Sequence, residues 1–360
     1  MKRRYDEINL IGRSRTMNTV NEKIIQAIIE KANRVCPDSL ALIGIYGSVA
    51  TGDDYEKSDL DLLIFIEDEE GYKLGKGFIL DDSKVGYDIY CTSRERLLSD
   101  AQCRHAHLSK LLDSQIVYVK NQAAYDELLG LREQARQFLA SEERFQRVRE
   151  AIDQAKIAYA NVCLSDDLGQ ARLESEGVMH YLLNAVMLYH GTYFKRGIKR
   201  IFEELAVLPL EDTFANTMQK VVRCKDVDEL RALLKQLILW VERHTRGEQK
   251  KEAPSAGLCG TYEELYSNWR NKVEEAASRG DTYSSYVNLC SMFGMLKEIG
   301  EGVEIGSFGG MEEFNADCLE ENVRIFDRCL AQYEGVYEQA GIEVIRYADV
   351  DAFVEDYLSK

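Results

Sequence analysis

Between Leu40 and Asp68 the chain reads LALIGIYGSVATGDDYEKSDLDLLIFIED, and no other stretch limits its folding as much. A run of apolar residues breaks at Gly47-Ser48, and a second run resumes at Leu60. The pattern predicts a strand, a tight turn, a short helix or loop, and a returning strand. Strand side chains alternate between faces, so Asp59 and Asp61 point one way while Leu60, Leu62, Ile64 and Ile66 point the other. Two carboxylates presented together from a buried edge repel, and the usual remedies are a raised pKa or a bound divalent cation. A cation is the expected one here. The turn adds a complement, because glycine lets backbone amides approach an oxyanion, and a hydroxyl at a helix start can bind phosphate. The turn matches neither GxxxxGK[ST] nor GxGxxG.

Gly-Ser, ten residues, then Asp-x-Asp, here Gly47, Ser48, Asp59 and Asp61 with Ser58 ahead of the first acid, resembles the signature of the polymerase-beta-like nucleotidyltransferases. The resemblance implies that Asp59 and Asp61 hold Mg²⁺ and carry catalysis, while Gly47, Ser48 and Ser58 bind the nucleotide. It also implies a third carboxylate on a later strand. In Lys84–Thr92, KVGYDIYCT, the residues Val85, Tyr87, Ile89 and Cys91 alternate with Gly86, Asp88 and Tyr90, which puts Asp88 on the less apolar face of a short strand. Asp88 is therefore the expected third catalytic and metal-binding acid, and a solvated strand aspartate is its alternative reading. Where many relatives carry Arg after the small residue, this chain has Thr51, so phosphate charge has to be met elsewhere.

At 360 residues the chain is long for one hydrophobic core, and two or three domains are expected. A formal charge of -17 argues against nonspecific binding to nucleic acid. Nine cysteines without CxxC pairs or Cys/His spacing fit a reducing compartment and argue against structural zinc. No apolar run approaches the roughly 20 residues of a membrane span, and MKRRYDEINLIGRSR lacks the apolar stretch of a signal peptide. A soluble, cytoplasmic protein is the expectation.

The predicted fold class is α+β: an N-terminal nucleotidyltransferase domain (residues 1–125) with a small mixed sheet and flanking helices, a helical bundle (126–247), and a further helical C-terminal region (260–360). Thr19 to Asn33 has one apolar helical face at Val20, Ile24, Ile28 and Ala32, with Thr19 and Glu22 as a capping box. Phe78-Ile79-Leu80 and Ser114–Val119 read as strands, and helices are expected from Ser93 and Ala123. Leu173 to Tyr189 reads as a buried helix. Another starts at Asp226, with Val227, Leu230, Leu234, Leu237 and Val241 on one face and Gly247 as its stop. Sheet domain followed by bundle resembles the kanamycin (aminoglycoside) nucleotidyltransferase-type enzymes, over residues 15–247. Glu248–Gly260 reads as a linker, Glu301–Gly310 as a mobile connection, and helices are expected from Thr261 to Gly280, Asp281 to Ile299 and Glu312 to Ala340.

An acidic protein that binds a triphosphate must concentrate cations locally. In TYFKRGIKR, Lys195 and Lys199, and likewise Arg196 and Arg200, are four apart and would share a helix face if the helix survives Gly197. The alternative is a solvated face paired with Glu203 and Glu204. In the kanamycin-type enzymes a bundle glutamate is the general base and a lysine four residues later contacts the nucleotide. With Lys156 as that lysine, the base position falls on Ile152, so the base stays unassigned, with Asp153 and Glu150 as candidates. The histidines form no triad: His105 and His107 read as polar surface, His180 and His190 as packed neutral side chains.

The function these residues imply is metal-dependent transfer of a nucleoside monophosphate, AMP from ATP by the resemblance, to a hydroxyl of a small molecule. An aminoglycoside-like antibiotic is the leading acceptor, and resistance the leading role. Nucleotidylation of a protein or an RNA end, or a non-catalytic nucleotide-binding module, stays open. So does a dimerisation role for the C-terminal helices, and a homodimer with them.

Overall fold

In the computed structural model, which describes residues 19–246 and 251–359, the chain divides into two compact units at residue 247. The stretch read for a targeting signal, and Gly247 as a helix stop, lie outside the described residues. The first unit opens with α1 (Thr19–Val35), β1 (Leu40–Ile45), α2 (Gly47–Thr51) and β2 (Leu62–Ile66). A hairpin of β3 (Lys76–Leu80) and β4 (Val85–Ile89) follows, then β5 (Cys91–Thr92), α3 (Arg94–Ala101), α4 (Ser109–Leu112), β6 (Gln115–Val119) and α5 (Gln122–Ala140). The main sheet has the order β5-β2-β1-β6, antiparallel on both sides of β1 and parallel between β2 and β5.

Alternation along β2 explains why the sheet holds its place. Leu62, Ile64 and Ile66 join Ile25, Ile28, Ile29 and Ala32 of α1 in one core. Leu63 and Phe65 turn to the opposite face, into a core that also contains Leu97, Leu111 and Leu128 from the helices beyond. A one-residue slip would exchange the two sets, and each face has its own apolar partner, so the register is fixed twice.

The second core does not stop at the sheet. It runs on through α6 (Arg144–Leu164), α7 (Leu168–Tyr189), α9 (Asp212–Arg223) and α10 (Val227–Thr245), with the short α8 (Ile201–Leu205) between. Among the described helices α7 carries the longest run of buried residues, Leu182 to Leu188, as its all-round apolar sequence led one to expect. Asp226 caps α10 by accepting from the Glu229 amide at 2.8 Å. The boundary drawn near residue 125 falls inside α5, whose Leu128, Leu131, Ala135 and Leu139 lie in the same core as the sheet. The fold is thus α+β, a small-sheet region at residues 40–119 followed by a mostly helical remainder.

Two sequence expectations fail in this unit. TYFKRGIKR is not one helix: Gly197 adopts φ +73°, and only Ile198–Arg200 forms a 3₁₀ turn, so Lys195 and Lys199 share no helical face. His107 is not polar surface either, whereas His105 keeps a partly exposed ring beside Asp100. The His107 ring stacks between His180 (5.3 Å) and Phe194 (5.1 Å), and burial, then the two neighbouring histidines, pulls it down to about 4.

The second unit holds α11 (Thr261–Leu265), one π turn (Tyr266–Arg270) and α12 (Asn271–Arg279), ended by Gly280 in the left-handed region. Then come α13 (Thr282–Gly302) and α14 (Leu319–Ala340) around a core containing Leu289, Met292, Phe326, Tyr333 and Tyr337, and last α15 (Val350–Ser359), which buries no residue. Helix α14 starts at Leu319 rather than Glu312, because Asn315 accepts from the Asp317 and Cys318 amides and its own amide donates to Asn322 Oδ1. Nor is Glu301–Gly310 a loose connection. Val303 bridges to Glu252, and Ile305 and Phe308 are buried. Among the described residues no helix is long and apolar enough to cross a membrane.

Candidate functional site

The turn after β1 and the lead-in to β2 are built around one another. Gly47 sits at φ +68°, and a Cβ there would fall 1.9 Å from Asp61 Oδ2, so the carboxylate occupies the space that any other residue would fill. The Tyr46 amide donates to the Asp61 carbonyl at 3.1 Å, which fixes the approach. Burial, then the Asp59 charge, pushes the Asp61 carboxyl up, while the Ser48 amide and Lys199 oppose the shift. An amide expected to meet phosphate thus meets the acid in this structure. Alternation holds as read, with Leu60 buried between an exposed Asp59 and a half-buried Asp61, although strand pairing itself begins at Leu62.

Asp88 lies elsewhere than expected relative to the sheet. The strand reading Val85–Cys91 is divided at Tyr90: β4 pairs only with β3, and β5 alone joins β2. Asp88 is exposed on the hairpin opposite Gly77, and it lines a groove together with Asp59. Among the described residues no three His, Cys, Asp or Glu side chains gather closely enough to hold a metal ion by themselves. Asp59, Asp61 and Asp88 therefore do not close into one ligand group, because the hairpin carries its acid on a separate sheet. Two oxygen donors of like charge, one of them half-buried, still fit a hard divalent cation whose other ligands come from solvent or a polyphosphate.

The remaining expected residues divide. Ser58 closes the Tyr55–Ser58 turn: its Oγ accepts from the Tyr55 amide at 3.0 Å, and its own amide donates to the Tyr55 carbonyl at 2.9 Å. Lys156 spends its charge on Glu242 at 2.7 Å and Asp153 at 3.6 Å, on the bundle helices. Lys195 lies 5.4 Å over the Tyr193 ring. Lys199 does come to the acids. Its Nζ donates to the Asp53 carbonyl at 3.1 Å, lies 5.7 Å over the Tyr55 ring, and its charge is felt at Asp61.

What brings Lys199 there is a contact the sequence did not announce. Asp53, just past α2, takes Arg196 as a two-pronged partner, Nε at 2.6 Å and Nη2 at 2.5 Å, with an Arg200 nitrogen at 3.4 Å. Its side chain is only 7% exposed, and Arg196's hydrogen bonds hold the carboxyl well below the usual carboxylate range. Thr51 Oγ1 donates to the same carboxylate at 3.2 Å. The cations missing after the Gly-Ser turn thus arrive from residue 196 onward. The one signal available was the pairing of a basic run with an unexplained acid in the turn.

A second group of titratable side chains is linked to Asp59 and Asp61 through Tyr46. Burial alone would raise the Asp100 carboxyl, but His105 and Lys110, each 3.4 Å away, hold it down. Burial, then Asp61, Asp100 and Asp59, pushes the Tyr46 hydroxyl up to about 12. Tyr46 is therefore a neutral phenol in the field of three carboxylates.

Residues 23–151 match the family model for the nucleotidyltransferase domain, which supports nucleotidyl transfer as the chemistry of this region in general. The span contains the Gly-Ser turn and all three candidate acids. No curated protein matches the chain. Among solved structures, a nucleotidyltransferase-like protein from Exiguobacterium sibiricum is similar, with 13% identity over 78% of this chain and 91% of that one and a TM-score of 0.37.

Proposed function

We propose that the protein transfers a nucleoside monophosphate from ATP to a hydroxyl of a small molecule and releases pyrophosphate. The observation that carries the reading is the interlock of the Gly47 turn with the Asp61 carboxylate, with Asp59 one strand repeat away. Asp59 and Asp61 would hold Mg²⁺, which when bound offsets charge on the phosphates and the leaving pyrophosphate. The Ser48 hydroxyl, beside the amide that Asp61 occupies, holds the distal phosphates, and Lys199 supplies the cation that Thr51 does not. Asp88 waits on the hairpin side, where the acceptor enters beside Asp59. The acceptor oxygen forms a bond to the α-phosphorus, the bond to the β-phosphate oxygen breaks, and its electron pair leaves on pyrophosphate. The hydroxyl proton passes to a carboxylate of the groove, for which Asp88 is the exposed candidate. Acidic groups at that rim favour a cationic acceptor, an aminoglycoside-like polyol being one such molecule, over an RNA end.

Pyrophosphate release with MgATP and a panel of hydroxylated acceptors tests the reading. Asp59→Asn and Asp61→Asn are expected to lower it by about two orders of magnitude, and unchanged release in both variants would remove transfer chemistry from this site. A second reading, a module that holds nucleotide without turnover, is favoured by the lack of a closed three-acid group among the described residues. MgATP binding with no pyrophosphate from any acceptor would establish it.

A further inference from the structure

Helix α15 is amphipathic, yet its apolar side faces solvent. Val350, Phe353, Val354, Tyr357 and Leu358 have the spacing of one helical face and are 41–77% exposed. The helix is formed all the same. Asp349 caps it by accepting from the Ala352 amide at 2.9 Å, and Tyr347 braces it, with its ring 5.5 Å from Phe353 and its hydroxyl donating to Asp356 at 2.7 Å. Asp351 and Glu355 border the apolar stripe, and α15 contains no Lys or Arg. Two such helices laid face to face would bring like charges together, so the surface that α15 suits is a basic one.

The chain carries that surface on α10. Leu230, Leu234, Leu237 and Val241 turn that helix's other side into the core. On the outer side Lys235, Leu239, Arg243 and Arg246 follow one another at helical spacing and line a groove of about 470 Å³. Leu239 is 46% exposed. Glu242, the acid of this groove, is engaged by Lys156 at 2.7 Å. Lys235, Arg243 and Arg246 form no ion pair among the described residues, in a chain whose 62 acids outnumber its 45 bases. An apolar centre edged by cations on α10 thus answers an apolar stripe edged by carboxylates on α15.

We propose that α15 of one copy docks in the α10 groove of a second copy, its apolar stripe on Leu239 and its Asp351 and Glu355 against the cations. One chain carries both halves of the match, and α15 buries nothing in its own copy. A single helix of about 15 Å makes a small contact, but two chains related by a two-fold axis make it twice. The proposal is independent of the transfer chemistry.

Sedimentation equilibrium of the full chain at micromolar concentration is expected to give a dimer that added salt weakens. Asp351→Lys with Glu355→Lys, and separately Lys235→Glu with Arg243→Glu, should each raise the dissociation constant by roughly tenfold or more, each variant keeping a cooperative melt. Mixing the two variants in equal amounts restores opposite charges at both contacts, so the dimer should return. Docking of α15 within its own chain could not be repaired by mixing. A monomeric wild type, a dimer that neither pair of reversals weakens, or a mixture of cooperatively melting variants that stays monomeric overturns the proposal.

Discussion

At the scale of single residues, Gly47 is the position with least freedom. Alanine there meets both the left-handed backbone, at about 1–2 kcal/mol, and the Asp61 carboxylate. Gly47→Ala is expected to lower the melting temperature and to weaken MgATP binding together, since relief of the clash must move Asp61. Calorimetric titration alongside a thermal melt checks both. The histidines give a pH dependence with a definite sign. Burial depresses His107, His190 and His244, so each binds protons more readily in the unfolded chain. Their contribution to stability is complete above the ordinary histidine range and is lost as pH falls through it, toward about 4 for His107. Melting temperature should therefore drop between about pH 7 and 5, and His107→Phe, which keeps the stack on Phe194, should flatten that drop.

Among the elements, strands and amphipathic helices were legible because their signals are local. Helix α10 shows its cap at Asp226 and its buried face in the sequence, and Asp226→Ala is expected to cost about 1 kcal/mol in a denaturant titration. The turn and the paired acids were legible for the same reason, since spacing within thirty residues of chain fixes them. The segment after Tyr193 was not. It is irregular up to Gly197 and turns only at Ile198–Arg200, and its cations face Asp53, more than a hundred residues earlier, a pairing no periodicity carries. Strand β4 misled in a related way: the alternation from Val85 to Cys91 is continuous, yet pairing with β3 and with β2 divides it. Asp53→Ala should release Arg196 and Lys199 and raise the KM for ATP more than it lowers kcat. Asp53→Glu, which keeps the charge, should recover part of the loss.

For the molecule as a whole, the two units have separate cores. A chain ending at Gly247 is expected to melt cooperatively and to bind MgATP as the full chain does. Sedimentation of both forms reads any role of the C-terminal helices in self-association, which would appear as a larger loss of mass than the missing segment.

Because one apolar interior runs from Leu42 and Phe65 of the sheet to Leu234 and Val241 of α10, no slippery plane separates the Gly47–Ser48 turn from the bundle whose connection carries Lys199. A site framed in this way has no jaws to shut. Access to the turn would then be set by residues 52–58, where Asp53 and the Tyr55–Ser58 turn are tied down, and a proline placed there is expected to weaken MgATP binding in a calorimetric titration.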